Sequence, residues 1–238
     1  MTRWLFQSVE SFKILTRAIH FCYSRFLFMK GKANFMKHLK TSDLSKKQNY
    51  KLLSGSIIPR PIAFVTSQDR DGNLNAAPFS FFNVVSSAPP MVMISTGRFG
   101  GKRKDTSLNI EEMGSFVVHI TDETTVEQVN RTAAPINRQD NELERTELSL
   151  VESELIPIPG IEQSKIRMEC KLERLIPLGD TEEGSDLIIG EVVMFHIDED
   201  VYFEDSKIDS EALNAVCRLA GNDYASIGDT FTIVRPTE

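Results

Sequence analysis

From about residue 56 onward, this chain runs through one strand-like segment after another, with turn residues between them and no βαβ alternation. "KIRMECKLE", Lys165 to Glu173, sets the pattern. Ile166, Met168, Cys170 and Leu172 fall on one side, and Lys165, Arg167, Glu169, Lys171 and Glu173 on the other. Side chains alternate across a strand, so this spacing predicts a half-buried antiparallel strand. "IAFVT", "PPMVMIST", "SFVVHIT" and "DLIIGEVVMFHID" read as further strands, and "TFTIVRP" as the last one. Gly190, inside the longest of them, marks a bulge or a close approach. Strands in this succession predict a mainly β chain: an antiparallel sheet closed as a β-barrel, with a few peripheral helices.

The punctuation supports that reading. Asp71-Gly72 is a hairpin signal, since Gly tolerates positive φ. Pro59 and Pro61 cannot donate to a ladder, so their strand begins at an edge or bulge. "KDTSLNIEEMG" predicts a helix with Asp105 or Thr106 as N-cap and Gly114 as the stop. "TTVEQVNRTAAP" opens with a capping box, Thr124 and Glu127, and ends before Pro135. "DSEALNAVCRLAG" predicts a short amphipathic helix capped by Asp209 or Ser210.

Composition narrows the functional classes. The 238 residues carry a net charge of −7, which argues against nucleic-acid binding but leaves room for a local anion site. Cys22, Cys170 and Cys217 are widely spaced and form no CxxC, which fits reduced thiols and a cytoplasmic setting. No apolar run approaches the length of a bilayer span. Residues 1–40 hold eight Lys or Arg and one acid, Glu10. Such an opening reads as a targeting segment, as an extension outside the domain, or as an upstream start with Met29 and Met36 as later ones. Residues 1–35 are therefore set apart, and the domain is expected over 36–238.

Catalytic signatures are missing. No GxGxxG follows a strand, and "TGRFGGKRKDT" departs from a phosphate loop at Thr96 and Arg103. There is no HExxH and no GxSxG. His119 and His196 read as strand histidines. Chemistry is then left to a bound cofactor, or the chain only binds. Two segments look built for a ligand. Lys104, Asp105 and Thr106 stand at a helix start, where free N–H groups, a cation and a hydroxyl suit an anion. Asn75, Ala76, Ala77, Pro78, Phe79 and Ser80 combine small side chains with polar ones, so a planar ring could approach the backbone, with Asn83 beyond. Together the two suggest a phosphorylated planar cofactor.

"GSIIPRPIAFVTSQDRDGNLNAAPFSFFNVVSSAPPMVMIS", "KDTSLNI", "GSFVVHI", "MECKL", "IIGEVVMFHID" and "RLAGNDYA", in that order, resemble the flavin reductase-like family, and within it the flavoredoxin-like branch. The resemblance runs from about Leu44 to Pro236. It implies an FMN-binding split β-barrel of six strands and a homodimer with FMN near its interface. Asn75 to Asn83, including Phe81, would meet the ring and ribityl. Lys104 and Thr106, with Asp105 between them, would face the phosphate. Arg60 would reach phosphate or ring edge, and His196 would lie near the flavin or its reductant. Phe79, Phe81 and Phe82 could shape a nicotinamide side. Arg218, Gly221 and Tyr224 match the closing motif, although Ala220 stands where that motif often has Gly. The function implied is an oxidoreductase passing electrons from NAD(P)H through FMN to an unnamed acceptor. An electron carrier reduced by a protein partner and a non-catalytic flavin-binding domain are the alternatives.

Overall fold

The computed structural model describes residues 36–134, 140–180 and 182–236. The expected extension at residues 1–35 and the helix stop at Pro135 lie outside them. The chain divides into two compact units with the boundary between Asn49 and Tyr50. In the first, the described part holds a short 3-10 turn, Thr41–Asp43. Helix α1, Lys46–Ser56, runs across the boundary.

The second unit is mostly strand. In chain order these are β1 (Arg60–Pro61), β2 (Ala63–Gln68), β3 (Leu74–Phe79), β4 (Phe82–Ser87), β5 (Pro90–Gly97), β6 (Ser115–Ile120), β7 (Leu150–Val151) and β8 (Gly160–Ile161). They continue with β9 (Ile166–Leu178), β10 (Ser185–Ile197), β11 (Tyr202–Phe203), β12 (Lys207–Ile208), β13 (Val216–Arg218) and β14 (Tyr224–Ser226). Helices α2 (Asp105–Met113), α3 (Val126–Arg131) and α4 (Ser210–Leu213) lie between them. Among the described residues no helix is long and apolar enough to cross a membrane.

Seven strands form one antiparallel sheet in the order β3-β2-β6-β9-β10-β5-β4, one more than the resemblance implies. Its two end strands are joined in sequence through Ser80 and Phe81, and the Ser95 amide donates to the Phe81 carbonyl at 2.9 Å. The sheet thus curls back on itself without a β3–β4 ladder, which is the split of the barrel. Val65, Ile94, Phe116, Val118, Ile188 and Val192 fill its interior. Each such side chain removed from water contributes about 1.5–3 kcal/mol. The outer face is covered as well. Phe64, Leu74 and Ala76 pack against Val129 of α3, and Val117 against Ile156 and Ile158. "SFVVHI" is apolar on both faces because both faces of β6 are covered.

The β2–β3 hairpin forms where Asp71-Gly72 predicts it. Gly72 takes φ +87°, and the Asp69 carboxylate accepts from the amides of Asp71 and Asn73 at 3.0 and 2.9 Å. Gly190 is both the bulge and the close approach. The β9–β10 register shifts there, and a Cβ would fall 2.5 Å from Phe116 Cζ.

Several local expectations are corrected. "TFTIVRP" is not a strand: no sheet edge among the described residues takes it up, and Phe231 is 84% exposed. The helix at Ser210 stops at Leu213, where Asn214 enters the left-handed region at φ 49°; β-branched Val216 then starts β13. Asp209 does cap it. Thr124 and Glu127 form no capping box. Asp122 takes that part, accepting from the amides of Thr124 and Thr125 at 2.9 and 3.0 Å. Glu169, expected on a solvated face, is fully buried beneath the segment at Glu154 and Leu155.

His119 is a structural histidine. Its Nδ1 lies 2.8 Å from the Phe64 carbonyl, and its Nε2 accepts from the Ile161 amide at 2.8 Å, which requires the neutral ring. Burial, opposed by the Phe64 carbonyl and aided by Arg167, pushes its pKa down to about 3. The unfolded chain protonates this ring near pH ~6.5. Stability carried by His119 is therefore complete above that pH and falls as pH drops toward 3. A His119→Gln protein should show a flatter decline of urea midpoint over that window than the wild type.

Candidate functional site

The stretch from Asn75 to Asn83 does not form one wall. Residues alternate across β3, and the β2 register pairs Asn75 with Ser67, Ala77 with Val65 and Phe79 with Ala63. Those residues face the barrel interior. Ala76 and Pro78, opposite Thr66 and Phe64, face outward beneath α3.

At the inner end of β3, α2 closes the barrel mouth. Asn75 Nδ2 donates to Thr106 Oγ1 at 2.8 Å and to Ser67 Oγ at 3.3 Å. Asn109 Nδ2 reaches the same Ser67 Oγ at 3.4 Å. Thr106 and Ser107 are buried, and Ser107 Oγ lies 2.5 Å from Thr96 Oγ1. The helix begins one residue earlier than expected. Lys104 is its N-cap, exposed and contributing no side-chain cap, and Asp105 sits in the first turn. The first-turn N–H groups have no partner within the helix itself. Just before them, Arg98 and Arg103 both grip buried Asp186, at 2.5 and 2.6 Å. Burial pushes the Asp186 carboxyl up, but hydrogen bonds from the two guanidiniums outweigh it and hold it below the usual carboxylate range. Arg98 Nε and Arg103 Nη2 remain buried donors without an acceptor. Arg103 Nη1 also meets Glu111 Oε2 at 2.6 Å, so the two guanidiniums are matched by two carboxylates, and what this end of the barrel offers an anion is unpaired guanidinium N–H groups and the exposed Lys104.

Farther along, Ser80 Oγ accepts from Arg60 Nε at 3.4 Å. Arg60 is only 5% exposed. Its Nη1 donates to the carbonyls of Ser54 and Ile57 at 2.5 and 2.8 Å, and its Nη2 to that of Leu219 at 2.8 Å. The side chain thus ties α1, β13 and the Ser80 turn together. Phe81 is 40% exposed, its ring centroid 6.4 Å from that of Tyr50. Asn83 is exposed, and its Oδ1 accepts from the Val84 amide. The Ala76 amide is taken by Glu142 Oε2 at 3.0 Å.

Beside Pro78, Phe79 and Ser80 lies a cleft of about 220 Å³, whose other walls include Tyr50, Arg218 and Tyr224. His196 does not line it: His196 Nε2 meets Glu169 Oε1 at 2.7 Å. Burial pushes the Glu169 carboxyl up, but the Glu154 amide, His196 and the Leu155 amide together hold it low. Sequence reasoning singled out neither Asp186 nor Glu142. Each stands among other acids, Glu142 between Asp140 and Glu144 and Asp186 just after Glu182 and Glu183, and only the fold buries it. Among the described residues no group of three or more His, Cys, Asp or Glu is arranged to hold a metal.

Comparison with known proteins places the chain. The flavin reductase-like domain matches residues 54–211. An uncharacterized protein of Bacillus subtilis, YwrF, is 52% identical over 82% of this chain and 96% of its own length. Nitrilotriacetate monooxygenase component B from Bacillus cereus is 47% identical, with a TM-score of 0.82 over 84% of this chain and 100% of that one. Flavoredoxin of Desulfovibrio vulgaris, at 20% identity, shares the fold with a TM-score of 0.64 over 84% of this chain and 97% of that one.

Removing the Arg60 fork would leave three carbonyls short of a donor. Arg60→Met should destabilise the protein by about 2–5 kcal/mol, since a buried unsatisfied acceptor costs about 1–3 kcal/mol. The midpoint of urea unfolding reads this directly.

Proposed function

The chain belongs to the flavin reductase-like family, and we propose that it binds FMN and passes electrons from NAD(P)H through it to an acceptor. Family membership supports a flavin-related oxidoreductase or electron-transfer role. The unpaired guanidinium N–H groups and the exposed Lys104 at the start of α2 carry the choice of FMN, because FMN has a phosphate and riboflavin has none.

Lys104, Thr106 and the first-turn N–H groups of α2 would hold that phosphate. Asn75 keeps Thr106 in place through its side-chain amide. The backbone from Ala77 to Ser80, with Phe81 and Asn83, would meet the isoalloxazine. Arg60 fixes the Ser80 turn from behind. When bound, the flavin supplies the redox chemistry, so the protein's part is to position it and exclude water. No titrating side chain is needed at the transfer step, in keeping with the structural commitments of His119 and His196. The exposed edge strand β4, with Val84 70% exposed, supports a homodimer through this side. The same apolar edge favours a second reading, an electron carrier served by a protein partner. Retained flavin with negligible NAD(P)H oxidation would mark that case.

Lys104→Ala combined with Thr106→Ala should weaken FMN binding about tenfold or more while leaving riboflavin binding nearly unchanged, the order expected for a lost charge-assisted hydrogen bond. Fluorescence titrations of both ligands test this. Equal losses for the two would reject the phosphate placement.

A further inference from the structure

The segment "TFTIVRP", residues 230–236, has the composition of a strand and the surroundings of a loop. Thr230, Thr232, Ile233 and Val234 are β-branched and Phe231 is aromatic, the residue types that suit a pleated backbone. Phe231 and Ile233 fall on one face of such a backbone. Yet Ile233 and Val234 are 80% and 83% exposed, and Phe231 as much. None of the amides of residues 231–234 donates to a group among the described residues. A bare strand-former of this kind pairs with whatever open edge it meets, so a chain that keeps one has to cover it.

The same chain leaves one long edge open. Its seven-stranded sheet ends in β3 and β4. The β3 edge is guarded: Glu142 takes the Ala76 amide, and Pro78 has none to give. β4 pairs with β5 alone over its six residues, and Val84 and Val85 are exposed on it. The Val84 amide meets only the side chain of Asn83 next to it, a contact that an incoming strand can replace. No charged residue or proline stands in β4 to repel one. The strands of the other described sheets are two or three residues long, too short to hold residues 230–236.

The two lacks are complementary, a strand without an edge and an edge without a strand. Within one chain they do not pair. Two copies related by a twofold axis satisfy both at once, because each gives a segment and receives one. We infer that residues 230–236 are an arm exchanged between two copies of this chain, each arm adding as a strand to the other's β4 edge. Main-chain hydrogen bonds hold the arm there, and its apolar side chains cover Val84 and Val85. The arm carries one charge, Arg235, and β4 carries none, so no like charges oppose the pairing. The inference rests on the homodimer through β4 and not on the flavin.

Hydrogen exchange on the full chain tests it, at a concentration where sedimentation equilibrium shows the dimer and again after dilution to the monomer. The amides of residues 231–234 should exchange about a hundredfold more slowly in the dimer. Phe231→Asp combined with Ile233→Asp, both at positions exposed in the single chain, should leave the monomer folded and raise the dissociation constant of the dimer about tenfold or more. Val84→Lys, at the receiving edge, should weaken the dimer in the same way. A dimer in which residues 231–234 exchange as freely as in the monomer overturns the exchange and leaves the homodimer standing. So does either variant dimerising as tightly as the wild type. A wild type that stays monomeric overturns both, and its uptake of FMN, read separately by absorbance, then decides the flavin reading alone.

Discussion

The buried guanidinium of Arg60 is the contact on which the functional end of the molecule depends. It satisfies a carbonyl in the last turn of α1, the Ile57 carbonyl just past that helix, a carbonyl just past β13 and the Ser80 hydroxyl at once. A lysine offers three donors from one point and could not reproduce this fork. Helix, small sheet and barrel seam therefore meet at a single side chain. The turn through Ser80 and Phe81, where the barrel splits, takes its shape from that meeting.

From the turn, β3 serves two surfaces. Its inward residues lead to the mouth that α2 closes, where Arg98 and Arg103 meet buried Asp186. Its outward residues lead to the small cleft under Arg218 and Tyr224. A segment that looks like one ligand wall in sequence is thus two faces of one strand. The division follows from a period of two and from covering both faces of the sheet, inside by the barrel core and outside by α3.

The period-two pattern made most of the barrel legible: β2, β5, β6, β9 and β10 stand where alternation or β-branched runs place them, and Gly72 and Gly114 end their elements through positive φ. Tertiary partners decided the rest. "TFTIVRP" has a strand's composition but finds no edge, and "AVCR" follows a helix signal but pairs with β1. The start of α2 was legible in "KDT" to within one residue. The burial of Glu169, Asp186 and Glu142 was not, because a buried acid differs from a solvated one only in what the fold brings to it. Arg60 shows the same limit, since "PRP" says nothing of the three carbonyls waiting around its side chain.

A visible absorption spectrum of the full chain with FMN, taken anaerobically before and after NADH or NADPH, tests the central claim most directly. The account predicts a bound yellow flavin that bleaches with one of the two nucleotides. A protein that takes up no FMN would contradict it.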